Sequence, residues 1–560
     1  MTRLTTMLLL LMCLATHQMS AQTRYLNQVF NQVEVTANVT YGVNATLLYQ
    51  SVFGEAIPEL LKMDIYRPVG DTETNRPLVL YFHTGNFGPF KNPDPTSPVQ
   101  NGFNGACGGV RTDSAAVEIC TRLAKMGYVA ASCEYRLGWL PTATTQELRR
   151  YTLINAAYRG VQDARTAIRF MRRSVAEQGN VYGIDPTKVV VWGQGTGGYI
   201  SLNTALLDDY AKIPTATNGK FVWNPQATTG NPCAPNAIIP IVIQQVNGDI
   251  YGTSIGQSPI TDPLNSCAVI KIDTLCYPNH TGYDSDFNLS VNMGGALADT
   301  GWVDNAATNP QPAMISFHVP NDNFAPYTTG TLSVPGQDPP LQVVEVQGSY
   351  TVQSFMEAAG QQTALLNAPS YLDLAVEQAA AFANSPAGVK EPLAGLYPLN
   401  MPPDPNNPSL PTTTAPWEWT SFPGLPPIPG VTPGFSCNTN KASAIVYIDT
   451  IVRFYAPRAC FVLGLQSCVD QILSNKEPLA KNIHLVALPN PASDQVTLKA
   501  EDGEMILSVQ VMDRMGRLIA AVQDVNNETF TFRRGILPAG NYVFKANFKE
   551  GFATKFVVFE

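Results

Sequence analysis

Val189-Val190-Val191-Trp192 runs without a break into Gly193-Gln194-Gly195-Thr196-Gly197-Gly198, and helical spacing follows from near Tyr199. A β-branched run of this length suits a strand buried on both faces, and small residues after it let strand and helix approach closely. Such a junction belongs to a sheet covered by helices, which excludes an all-helical bundle or an antiparallel sandwich for the body of the chain. The neighbouring segments agree. Residues 77–82 and 128–135 read as strands, 115–126 as a helix stopping at Gly127, and 155–178 as a helix with Ala157, Val161, Ala164, Ile168 and Met171 on one face. This order predicts an α/β class with a mostly parallel sheet.

At 560 residues the chain exceeds what one core usually serves. Residues 1–21 read as a signal peptide: Arg3, an apolar stretch from Met7 to Leu14, then Met19-Ser20-Ala21 before Gln22. We expect a large domain over 22–480, with an insertion at about 211–301 where Pro, Asn, Gly and Thr abound. Residues 313–318 read as another buried strand, 355–383 as helix and 442–455 as an amphipathic helix. The proline-rich stretch 397–435 predicts extended structure packed on a surface, too broken for helix or sheet. After 481, short alternating runs separated by Gly, Asp and Asn turns predict a small β-sandwich over 481–560.

A net charge of −9 gives no electrostatic footprint for nucleic acid. Once the signal is removed nine cysteines remain, and export favours disulfides. Cys267 with Cys276, and Cys460 with Cys468, are spaced to close short loops. The odd count leaves a thiol free or paired between chains, so a homo-oligomer is one expectation. No spacing suits zinc, and neither a metal nor another cofactor is expected.

Several ordered motifs carry a resemblance. His83-Thr84-Gly85-Asn86-Phe87 is similar to an HGGGF oxyanion loop, and Glu134-Tyr135-Arg136-Leu137-Gly138 to a D-Y-R-L motif with Glu in the Asp place. The helix Asp163-Ala164-Arg165-Thr166-Ala167-Ile168-Arg169-Phe170, the Tyr182-Gly183-Ile184-Asp185-Pro186 lead-in and the loop His318 to Tyr327 follow in the same order. Together they resemble the carboxylesterase and lipase branch of the α/β-hydrolase superfamily, whose nucleophile stands on a G-x-S-x-G elbow. The resemblance places Gly195 at the nucleophile and Asp322 at the acid, and the backbone N–H groups of Gly85, Asn86 and Thr196 at an oxyanion hole. Family order puts the base after the acid, yet only His484 follows Asp322, at the entrance of the small domain. His280 and His318 read as structural, as does an Arg136–Asp163 ion pair. Thr196, one residue late, and Ser201, a turn further, are displaced hydroxyls.

The end of the chain carries a second resemblance. Leu488-Pro489-Asn490-Pro491, Met512-Asp513-Arg514-Met515-Gly516-Arg517, Leu537-Pro538-Ala539-Gly540-Asn541-Tyr542 and a last strand look like the sorting domain of type IX secretion cargo. This implies a Bacteroidota outer-membrane route, the type IX machinery as partner, and a secreted or cell-surface destination. The reading that follows is an exported α/β-hydrolase homologue lacking nucleophile and base and acting by binding or assembly. The alternatives are a carboxylesterase-like hydrolase with a displaced nucleophile, and an extracellular filament or surface-layer protein.

Overall fold

The computed structural model describes residues 23–88, 108–214, 218–322, 324–334, 339–366, 391–404, 407–419, 440–469 and 485–560, with short breaks at 501–502, 514–517 and 550, and a few positions between 366 and 391. The expected signal peptide, His484 and residues 420–435 of the proline-rich stretch lie outside them.

In chain order the strands of the main sheet are β1 (Val33–Thr46), β2 (Ile57–Pro68), β3 (Arg76–Phe82), β4 (Val129–Cys133), β5 (Ile184–Gln194), β6 (Leu289–Met293), β7 (Ala313–His318) and β8 (Leu396–Pro398). They lie in the order β1-β2-β4-β3-β5-β6-β7-β8. The β1–β2 and β2–β4 pairs are antiparallel and every later pair is parallel. The longer helices are α1 (Ser114–Lys125), α2 (Gln146–Glu177), α3 (Thr196–Leu206), α4 (Ser349–Ala358) and α5 (Lys441–Val462). This is the α/β-hydrolase sheet order, and the expected fold class stands.

Strands β3, β4, β6 and β7 are buried at every residue, because helices cover both faces of a parallel sheet. β6 falls inside the stretch expected as insertion. Its alternation of Leu289, Val291 and Met293 with Ser290 and Asn292 hides a strand buried on both faces. Asn292 is tolerated there because both ends of its amide are used: Nδ2 donates to Ser349 Oγ at 2.9 Å and Oδ1 accepts from Gly295 N–H at 2.8 Å.

Ahead of β6 the insertion forms an antiparallel hairpin, Gly256–Asp262 with Ala268–Cys276. Cys267 pairs with Cys233 across 34 residues, not with Cys276, which is free and buried. In a hairpin, short sequence spacing does not bring two side chains together, since register and facing decide. Cys460 and Cys468 are bonded as their spacing suggested. The proline-rich stretch is less irregular than expected. It opens with β8 and continues with a two-stranded pair, Pro403–Asp404 with Asn407–Pro411. Of the helix expected over 355–383, the described residues hold the end of α4, a short turn, Thr363–Leu366, and helical positions at Gln378, Ala381 and Phe382.

The chain folds as two compact units, one reaching Val469 and the other holding 470–560. The second has two antiparallel sheets. One pairs Leu485–Leu488, Gln495–Ala500 and Thr529–Arg533; the other pairs Leu518–Val522, Ser508–Asp513, Gly540–Phe548 and Gly551–Phe559. Val496, Leu498, Val511, Phe544 and Val557 form its own core.

Candidate functional site

α3 leaves β5 through Gly195, whose φ of 54° and ψ of −115° strain any residue with a side chain. Its N–H donates to the Met293 carbonyl at 2.7 Å, tying the turn to the end of β6. Gly197 allows the close approach: a Cβ there would lie 1.9 Å from the Phe82 carbonyl oxygen. This is a tight strand-to-helix elbow with glycine at its apex.

The space above Gly195 is filled. A Cβ on Gly195 would lie 2.1 Å from Thr84 Oγ1 and 2.9 Å from Thr84 Cβ, so a serine there collides with Thr84. The signal was present in the sequence, since Thr84 stands where the HGGGF loop has glycine. The two departures, Thr84 and Gly195, face each other across 111 residues.

Around Thr84 the expected oxyanion loop keeps an unusual backbone. Gly85, Asn86 and Phe87 have φ of 135°, 57° and 49°, and a Cβ on Gly85 would meet Gly109 Cα at 2.9 Å. Tyr135 holds this loop to the elbow: its hydroxyl donates to the His83 carbonyl at 2.9 Å and lies 2.8 Å from Thr196 Oγ1. With the tyrosine proton committed to His83, Thr196 is the donor in that second bond. The Thr196 hydroxyl is therefore engaged. Ser201, buried, donates to the Gly198 and Val291 carbonyls.

Asp322 follows β7. Its Oδ1 accepts from the N–H groups of Phe324 (2.7 Å) and Ala325 (3.2 Å). Burial outweighs these donors and pushes its pKa up to about 7. Asp322 Oδ2 and the ring of Trp417 both lie within 4 Å of where a Cβ on Gly294 would sit. Gly294 follows Met293, the residue that holds the elbow, so Asp322 and Trp417 stand beside the turn. Trp417 is buried, and its Nε1–H has no partner among the described residues.

His318 is 3.8 Å from Asp322 through Nε2, but both ring nitrogens are committed. Nε2 lies 3.0 Å from the Ala325 carbonyl, which requires the proton on Nε2, and Nδ1 then accepts from Ser349 Oγ at 2.6 Å. Burial lowers its pKa to about 4. His280 Nε2 is 2.8 Å from the Tyr41 carbonyl. His83 Nδ1 is 2.5 Å from the Thr84 carbonyl, and its ring stacks on Tyr135. Both ring nitrogens of His318 and of His280 are thus engaged, and burial lowers the pKa of His83 to about 4.

Sequence reasoning missed the floor of the site. Glu418, beside Trp417, is buried, and its Oε1 accepts from Ala115 N–H in the first turn of α1 at 3.0 Å. Its Oε2 accepts from Gln194 Nε2 at 3.1 Å, and Gln194 Oε1 accepts from the Tyr81 hydroxyl at 2.5 Å. Burial, with a smaller push from Asp113, raises the Glu418 pKa to about 8. The residue under the elbow is thus tied to the proline-rich segment. Further away, Arg136 and Asp163 form a fully buried pair at 2.9 Å, with Gln162 Oε1 accepting from Arg136 Nη2 at 2.8 Å. Among the described residues, no three His, Cys, Asp or Glu side chains are grouped to hold a metal ion.

Two family models match parts of the chain. The BD-FAE family matches residues 105–229, and the secretion system C-terminal sorting domain matches residues 487–560. Among solved structures, a propionate-bound esterase 2 of Thermogutta terrifontis is 16% identical over 59% of this chain and 79% of that one, with a TM-score of 0.28. A truncated carbohydrate esterase from gut microbiota is 13% identical over 60% of this chain and 86% of that one, with a TM-score of 0.29. Likeness at this level has no bearing on activity. No curated protein matches the chain. The sorting tail indicates export and attachment at the cell surface by type IX secretion. The chain thus carries a BD-FAE-like segment on an α/β-hydrolase sheet and a type IX sorting domain at its C-terminal end.

Proposed function

We propose that this protein is a non-catalytic α/β-hydrolase homologue of the cell surface or its surroundings, acting by binding or assembly. The observation that carries the reading is the Thr84 side chain seated 2.1 Å from the Cβ position of Gly195. Acyl transfer on this fold needs a hydroxyl on the elbow and a base within about 3 Å of its proton. Thr84 takes the first place, and His318, 3.8 Å from Asp322, is engaged through both ring nitrogens. Residual catalysis by backbone donors alone would be roughly 10³–10⁴-fold over water at most. Residues 1–21 would direct entry to the export route, and the tail would engage the type IX machinery at the outer membrane. Neither homo-oligomers nor a filament have a specific observation in their favour.

One observation favours an ester hydrolase with a displaced nucleophile. Thr84 Oγ1 stands close to where the serine oxygen of the family would be. The two readings separate in one assay, with the purified full chain tested against p-nitrophenyl acetate and butyrate and with a fluorophosphonate probe. We expect no turnover above buffer and no labelling. Turnover or labelling removed by Thr84→Val would overturn the non-catalytic reading in favour of the displaced nucleophile.

A further inference from the structure

The chain has four Asn–Gly steps, at 101, 104, 218 and 247, and the first two lie outside the described residues. Such a step is open to attack on the asparagine carboxamide by the next backbone nitrogen, because glycine has no side chain to shield it. The fold treats the two described steps differently. Asn247 is half-buried, with both ends of its carboxamide held: Oδ1 accepts from Ile243 N–H at 2.9 Å and Nδ2 donates to Asn155 Oδ1 at 2.8 Å. Gly248 is buried, and a Cβ on it would lie 2.7 Å from Cys276 Sγ. A Cβ on Gly256 would lie 2.4 Å from the Gly248 nitrogen, so the Gly256 backbone is packed against it. Tyr158 and Gln162 of α2 donate to the Gly248 and Asn247 carbonyls, each at 2.9 Å. Attack at this step would have to break these bonds.

Asn218 and Gly219 are exposed, and nothing lies within 4 Å of where a Cβ on Gly219 would sit. Among the described residues one bond holds the carboxamide: Asn218 Oδ1 accepts from Lys220 N–H at 3.2 Å. This turn folds the side chain forward along its own backbone, and the ring it closes includes the Gly219 nitrogen.

We infer that Asn218 is a site of spontaneous covalent modification by its own backbone. The Gly219 nitrogen gives its proton to water and bonds to Asn218 Cγ, the Cγ–Nδ2 bond breaks, and ammonia leaves. Water then opens the five-membered imide at either carbonyl, giving aspartate or isoaspartate at 218. The consequence falls on Lys220. Its buried side chain pairs with Asp299 at 3.2 Å and donates to the Ala298 carbonyl and, at 3.4 Å, to that of Glu345 in the strand Leu341–Gln347. These contacts fasten the start of the insertion to its end and to that strand. Isoaspartate lengthens the backbone by one methylene two residues before the anchor, and so loosens it. The inference is independent of whether the elbow is catalytic.

The test ages the full chain in mildly alkaline buffer, folded and in urea, and maps the peptides by mass spectrometry. In the folded chain the gain of one mass unit at Asn218 should outpace that at Asn247 by about tenfold or more, since a held step reacts only when it opens locally. In urea the two rates should come together. Trypsin should cut after Lys220 faster in the aged folded protein than in the fresh one. Asn218→Gln, which closes only a slower six-membered ring, should suppress both the modification and the added cleavage. Equal rates at 218 and 247 in the folded chain, or a difference that persists in urea, would overturn the site. Modification at 218 without faster cleavage after Lys220 would overturn the link to the anchor.

Discussion

The Arg136–Asp163 pair and the Gly195–Thr84 pair lie on the same motif-bearing framework and have met opposite fates. Arg136 and Asp163 match the family's pattern and are fully buried, with Asp163 also accepting from Arg136 N–H at 2.8 Å. Gly195 and Thr84 both depart from the pattern, and they depart together. A buried ion pair cannot lose one partner cheaply, because the other charge is stranded in a low dielectric. An elbow serine can be lost, because glycine relieves backbone strain there. The neighbouring loop is then free to fill the space. The scaffold motifs are what the fold needs, while the elbow glycine, on the non-catalytic reading proposed above, is what a chain tolerates when no chemistry is required of it.

The largest effect that would break this contrast lies at the ion pair. Asp163→Ala should cost about 3–5 kcal/mol, the usual range for stranding one member of a buried pair. Chemical denaturation of the purified variant would measure it. A loss under about 1 kcal/mol would mean that the pair is no more structural than the elbow.

Next in size is the buried acid beneath the elbow. Glu418 has its pKa raised from an ordinary value near 4.5 to about 8. Such a group contributes its full stability below the unfolded value and loses it as pH rises through the folded one. Between about pH 4.5 and 8 the unfolded chain holds fewer protons than the folded one, so unfolding free energy falls. Asp322 and Asp113, raised to about 7 and about 6, add to the same slope, so the difference between wild type and Glu418→Gln isolates one group. We expect the wild type to lose on the order of a few kcal/mol more than the variant across that window. Parallel stability profiles would show that Glu418 is ionised in the folded state and that its hydrogen bonds outweigh its burial.

Much of the scaffold is legible in the sequence because it is local. The glycines of the elbow follow their strand directly, and β3, β4 and β7 are apolar runs with clear ends. β6 is not legible, since Ser290 and Asn292 are buried polar residues whose partners come from elsewhere in the chain. Cys233 gives no local sign of its bond to Cys267, which depends on how the hairpin tip is placed. The site divides the same way. Gly195 and Asp322 can be read from motif spacing. The roles of Thr84, Trp417 and Glu418 depend on contacts spanning more than a hundred residues, and two of these three sit in a proline-rich stretch with no periodicity to read.

The smallest expected effect is also the sharpest on the comparison. Gly195→Ser should destabilise the protein by about 1–3 kcal/mol, the usual range for overpacking or for a strained backbone position. In Thr84→Gly the added side chain has room, so the double variant should recover part of that loss and give a coupling energy of roughly 1 kcal/mol or more. Additive losses would mean that the two departures are independent and that only backbone strain disfavours serine at 195. In neither background should ester hydrolysis appear, because His318 is committed through both nitrogens to Ala325 and Ser349. Turnover in the double variant would place a working base near the elbow and reduce the difference between the two regions to one lost hydroxyl.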